Sequence, residues 1–102
     1  MTETQLKVAV KAMIKKEFNF HGWKISDKFT SGIPDLIGCL KCDKGHGHFV
    51  ALELKTLIGR VSRLQLYEID QILKAGGRAG IAKSLEEARE FFKEASVCKN
   101  VT

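Results

Sequence analysis

Apolar residues recur at helical spacing near the start of the chain. Leu6, Val10, Met13 and Ile14 share one face of a helix running from about Glu3 to Phe18, with His21 and Gly22 ending it. Thr2 and Gln5 have the spacing of a capping box, in which each side chain answers a backbone N–H that the first helical turn leaves unpaired. Beyond Gly22 the period shortens. The β-prone runs Trp23 to Ile25, Leu36 to Leu40 and Phe49 to Lys55 predict three consecutive strands, with Ser31, Gly32 and Pro34 punctuating the chain before the second. Ser62 is placed to cap a second helix that reaches Ala75 and stops at Gly76 and Gly77, with Ile69, Ile72, Leu73 and Gly76 as its core positions. Arg78 to Ala82 predicts a fourth strand. Ser84 and Glu87 form another capping box opening a last helix through about Ala95, after which residues 97–102 read as a loose tail in which Cys98 has no evident partner.

The predicted order is αβββαβα, a mixed four-stranded sheet flanked by helices. The passage from Phe49 to Ala82 has the length of a crossover between parallel strands, whereas the short link from Leu40 to His48 suits an antiparallel hairpin. With 102 residues the chain is expected to be a single domain, residues 1–102. Its apolar fraction of 44% and charged fraction of 28% are those of a globular protein, which excludes a disordered or fibrous chain. No apolar run approaches the length of a membrane span, and the lysines among the first sixteen residues interrupt any signal-peptide core; a cytoplasmic protein is the expectation. Three cysteines cannot complete a disulfide framework, so reduced thiols are the simpler expectation. A net charge of +5 and a pI near 9.2 suit a polyanionic partner, although surface lysines also serve solubility.

The strands Leu36 to Leu40 and Phe49 to Leu54 read as apolar on both faces, as central strands covered by helices do, and charges near them need a reason. Glu53 and Lys55 lie two residues apart and leave one face of a strand together. If the hairpin is centred near Lys44, Leu40 pairs with His48, and the same register sets Asp35 opposite Glu53. Two carboxylates there can hold Mg²⁺ through hard oxygen ligands, with a lysine ammonium to orient water or stabilise negative charge on a phosphate. An ordinary strand-end ion pair would use the same three residues. Gln65 falls on the inward stripe of the second helix, and Glu3 and Glu17 extend the stripe of the first in either direction.

Gly32-Ile33-Pro34-Asp35-Leu36, Leu52-Glu53-Leu54-Lys55 and Gly59-Arg60-Val61-Ser62-Arg63-Leu64-Gln65 together resemble the VRR-NUC branch of the PD-(D/E)XK nuclease superfamily, over nearly the whole chain. In that branch a glutamate near the start of the first helix precedes a G-x-P-D segment, an E-x-K strand and an S-x-x-Q helix start. The resemblance implies a restriction-endonuclease-like core and Mg²⁺- or Mn²⁺-dependent hydrolysis of DNA phosphodiesters. It makes Asp35, Glu53 and the Leu54 carbonyl the metal ligands, Lys55 the catalytic cation, Glu3 a further acid acting directly or through water, and Gln65 a positioner of Lys55 or of a phosphate. Glu17 fits the spacing less well than Glu3. Small proteins of this branch include phage-type enzymes that look like Holliday-junction resolvases, which implies branched DNA, a homodimer and, for a phage protein, the host cytoplasm. Arg60, Ser62, Arg63 and Lys28 are the expected DNA contacts, with Lys7, Lys11 and Lys24 as further candidates.

A nicking or mismatch-type nuclease of the same fold, or a DNA-binding module without catalysis, would share much of this pattern. Cys39, Cys42, His46 and His48 also spell C-x₂-C-x₃-H-x-H, which holds enough sulfur and imidazole for a tetrahedral zinc, or is simply a glycine-containing hairpin.

Overall fold

The computed structural model describes residues 1–23 and 32–98. The expected strand residues Lys24 and Ile25, the loop residue Ser31, the candidate contact Lys28 and the last four residues lie outside this description.

The first helix, α1, spans Glu3–Glu17 and is capped as its sequence requires: Gln5 N–H donates to Thr2 Oγ1 at 3.1 Å, and Thr2 N–H to Gln5 Oε1 at 2.8 Å. Leu6, Val10, Met13 and Ile14 are all buried. The chain turns extended at Phe18, so β1 is Phe20–Trp23, and His21 and Gly22 belong to a strand instead of ending the helix. The cause is aromatic packing. The rings of Phe18 and Phe20 both settle on Phe92, with centroids 5.5 and 5.2 Å apart, which draws the chain off the helical path at Phe18. Phe20 also lies over Gly22 and Gly38, positions where a methyl group would strike its ring.

Strands β2 (Leu36–Lys41) and β3 (Gly47–Leu54) form the expected hairpin, with Leu40 paired to His48 and Leu36 to Leu52. β4 (Arg78–Ala82) lies parallel to β3, and the sheet runs in the order β1-β2-β3-β4, with its first two pairings antiparallel. Between β3 and β4 the chain makes α2 (Arg63–Lys74), and after β4 comes α3 (Leu85–Ala95). α2 ends through a double backbone closure, Gly77 N–H to the Ile72 carbonyl and Gly76 N–H to that of Leu73, with Gly76 at φ +94°. At the start of α3, Glu87 N–H donates to Ser84 as expected, but the Glu87 carboxylate turns to the N–H of Lys83, leaving the box half made.

Leu36, Leu40, Val50, Leu52, Leu54 and Ala82 from the sheet meet the buried faces of α1 and α3 in the core. Neither β2 nor α2 is covered as the sequence pattern suggests. Cys39 and Lys41 are exposed on the second face of β2, and in α2 only Ile69 is buried, Leu73 and Gly76 being exposed. α2 rests on β4 and the neighbouring part of β3, so Ile69 reaches the sheet while Leu66, Tyr67 and Leu73 stand outward.

Candidate active site

Strand register brings the first two acids together. Asp35 precedes Leu36, whose partner is Leu52, so Asp35 stands across from Glu53 at the sheet's end. The Asp35 carboxylate is fixed there by the backbone N–H of Leu54, 3.0 Å from its Oδ2. Among the described residues Glu53 is the one charged residue that is buried, at 2% exposure, and its Oε2 has no hydrogen-bond partner. An orphaned carboxylate oxygen in such a place is costly.

α1 brings a second layer of charge to the same end. Lys55 Nζ stands 3.9 Å from Glu53 Oε1 and 4.0 Å from Glu3 Oε1, and Lys7 Nζ is 3.1 Å from Asp35 Oδ1. Glu3 and Lys7 lie one turn apart on α1 and so face the strand ends together. Lys7 is thus a member of this cluster, where the sequence offered it only as one of several possible phosphate contacts; its i,i+4 relation to Glu3 was the signal. Glu17 sits at the other end of α1, bound to Arg89 through contacts of 3.1 Å.

The two carboxyls are driven apart electrostatically. Burial, followed by the hydrogen bond and the charge of Asp35, pushes Glu53 up to about 8 against the opposing pull of Lys55 and Lys7. Burial acts to raise Asp35 too, but its hydrogen bonds with Glu53, the Leu54 N–H and Lys7 outweigh burial and hold it below the ordinary carboxylate range. Of the two, Glu53 is the carboxyl disposed to keep a proton and Asp35 the one disposed to stay ionised. Lys7 is held above its ordinary value: burial works against its charge, but Asp35, Glu3 and Glu53 more than offset it.

The remaining expected residues are placed more loosely. Gln65 is committed to the cap of α2, its Oε1 accepting from Ser62 N–H at 2.8 Å while Ser62 Oγ accepts from Gln65 N–H at 3.1 Å. Arg60, Ser62 and Arg63 are exposed on the approach to α2.

The solved structure of a VRR_NUC domain superposes on this chain with a TM-score of 0.71, covering 91% of this chain and 97% of that one, at 20% sequence identity. The chain has the VRR_NUC fold. No protein-family model matches it, and no curated protein does. The restriction-endonuclease-like architecture expected from three short sequence segments is thus the one observed, including its helix and strand order. Within this fold, the last pleat of β3 and the residue before β2 carry the acidic pair. No helix among the described residues is long and apolar enough to cross a membrane.

At the far end of β2 a different group assembles. Cys98, expected in a loose tail without a partner, is buried; its N–H donates to Asp43 Oδ1 at 3.0 Å, and its sulfur is bonded to that of Cys42, a disulfide where the odd cysteine count led to the expectation of reduced thiols. The turn between β2 and β3 offers hydrogen-bonding groups that hold the segment after α3, which sequence distance conceals. Cys39 stays a free, exposed thiol.

Proposed function

We propose that the protein is a metal-dependent DNA endonuclease hydrolysing phosphodiester bonds in branched DNA, and that it works as a homodimer. The observation that carries this reading is the buried, unpartnered Oε2 of Glu53 beside Asp35, with a lysine ammonium 3.9 Å from the other Glu53 oxygen. An apolar core gains nothing from such a group, whereas a hard divalent cation would satisfy it.

Asp35, Glu53 and the Leu54 carbonyl fit Mg²⁺ or Mn²⁺ as ligands, with Glu3 joining directly or through water. A bound Mg²⁺ supplies Lewis acidity toward a phosphoryl oxygen and lowers the pKa of water. The chain's own groups do the rest. The Leu54 N–H and Lys7 orient Asp35. Lys55, poised between Glu53 and Glu3, is placed to neutralise charge developing on the scissile phosphate and to hold the attacking water. Gln65 presents amide protons from the start of α2, and Arg60, Ser62, Arg63 and Lys28 contact flanking phosphates. A groove of about 500 Å³ between α1 and β1, lined in part by Lys11, Lys15, His21 and Trp23, offers charge and aromatic surface for a nucleic-acid strand.

One observation and one symmetry argument support the dimer and the substrate. Leu66, Tyr67 and Leu73 expose an apolar strip on α2 that a second copy could cover, and a two-fold pair of sites matches a nearly two-fold junction. Cleavage of junction, flap, nicked and linear duplex DNA, each with Mg²⁺ and with chelator, tests the reading. Metal-dependent cutting of the junction substrate is expected; binding that survives chelation with no scission in any lane would favour a non-catalytic DNA-binding module.

A further inference from the structure

We propose that Cys42, His46, His48 and Cys98 form a structural zinc site that fastens the segment after α3 to the β2–β3 hairpin. Cys42 follows β2, His46 lies in the turn, His48 is the second residue of β3, and Cys98 comes from beyond α3. One donor atom from each of Cys42, His48 and Cys98 lies within 4.8 Å of the other two. His48 Nε2 is 3.1 Å and His46 Nδ1 3.6 Å from Cys98 Sγ.

The sulfur–nitrogen separations of 3.1 and 3.6 Å are near those of ligands around one ion. Zinc–sulfur bonds of about 2.3 Å and zinc–nitrogen bonds of about 2.0–2.1 Å place sulfur and nitrogen roughly 3.6 Å apart on the edge of a tetrahedron. A thiol reductant, delivering two electrons to the Cys42–Cys98 bond and itself becoming a disulfide, would release two thiolates that separate to admit the ion. A disulfide would leave both imidazoles facing a weak sulfur acceptor, whereas zinc engages two thiolates and two imidazoles together.

The backbone is built for this convergence. Cys42 N–H donates to the His46 carbonyl at 2.8 Å, and Gly45, at φ +83°, donates to that of Cys42, folding His46 back beneath Cys42. Asp43 N–H binds the Ser96 carbonyl at 2.8 Å, and Asp43 Oδ1 takes the N–H of Cys98. Cys39, which sequence spacing nominated as a ligand, lies against Gly47 on the exposed second face and is replaced by Cys98. With four protein ligands the site has no open position and serves the fold. It stands at the opposite end of β2 from Asp35 and is independent of the acidic pair.

The test is the metal content of the full chain, purified with reductant from zinc-supplied medium, by elemental analysis and native mass spectrometry. One zinc per chain is expected, retained in Cys39→Ser and lost in Cys98→Ser and His48→Ala. Cobalt titrated into the metal-stripped wild type should give tetrahedral d–d bands with thiolate charge transfer, a readout that does not depend on any variant folding. A zinc-free wild type with the mass of an oxidised Cys42–Cys98 pair would overturn the proposal, as would loss of zinc in Cys39→Ser or a cobalt spectrum without thiolate bands.

Discussion

The backbone N–H of Leu54 donates to the Asp35 carboxylate at 3.0 Å, tying the residue that precedes β2 to the last residue of β3. Asp35 is therefore oriented by the strand that carries Glu53, and the two acids keep their relative position for as long as β2 and β3 stay paired.

Asp35→Asn and Glu53→Gln should each lower Mg²⁺-dependent cleavage at least about a hundredfold while leaving DNA affinity within a few-fold of wild type, and Lys55→Ala should lose a comparable share of turnover. Single-turnover rates alongside binding titrations measure both. Wild-type rates in both carboxyl variants would refute the assignment.

The proton on Glu53 gives the metal-free protein a pH signature. Its folded pKa of about 8 lies above the ordinary 4.5, so the stability it contributes is full below the ordinary value and is lost as pH rises through about 8. Urea melts in chelator should show stability falling across that interval, and Glu53→Gln should flatten the fall. The linked result is proton release when Mn²⁺ binds below pH 8, measurable by calorimetry in buffers of different ionisation enthalpy. An equally steep decline in Glu53→Gln would assign it to another group.

Glu3 and Glu17 can be separated directly. Glu3 lies 4.0 Å from Lys55, whereas Glu17 is held by Arg89 at the far end of α1. Glu3→Gln is expected to slow cleavage by about 10- to 100-fold, the usual cost of removing a group that supports metal ligands, and Glu17→Gln to leave it unchanged. The reverse outcome in a side-by-side assay would place the helix acid at Glu17.

Arg60, exposed ahead of α2, and Arg63, exposed as its first residue, are expected under the proposed function to act on affinity rather than chemistry. Replacing either with alanine should weaken binding at low salt and reduce the slope of log K against log salt by about one. An unaltered slope in both would move the DNA path elsewhere, the groove beside Trp23 being the next place to look.

Much of this was legible in the sequence because strand pairing is periodic. Once Leu40 faces His48, Asp35 must face Glu53, and that one register carries the acidic pair. The capping boxes at Thr2 and Ser62 were legible for a similar reason, both partners lying within a single turn. What escaped depends on contacts distant in sequence. Phe92, more than seventy residues downstream, decides where α1 gives way to β1, and Asp43 and Cys42 decide that Cys98 is buried. The outward side of α2 escaped for another reason: an apolar stripe says that a face prefers to be covered but not by what, and one edge of the sheet covers only Ile69.

The cap of α2 has a bearing on what Gln65 can say to a ligand. A free carboxamide can rotate to offer either end, but Ser62 N–H holds this one by its oxygen at 2.8 Å. Its NH₂ is left as the outward end, so the side chain speaks with one polarity and can address an anion only as a donor. Helix initiation and anion preference are then set by one hydrogen bond. A glutamate at this position could still close the cap, yet it would turn an acceptor toward the same anion.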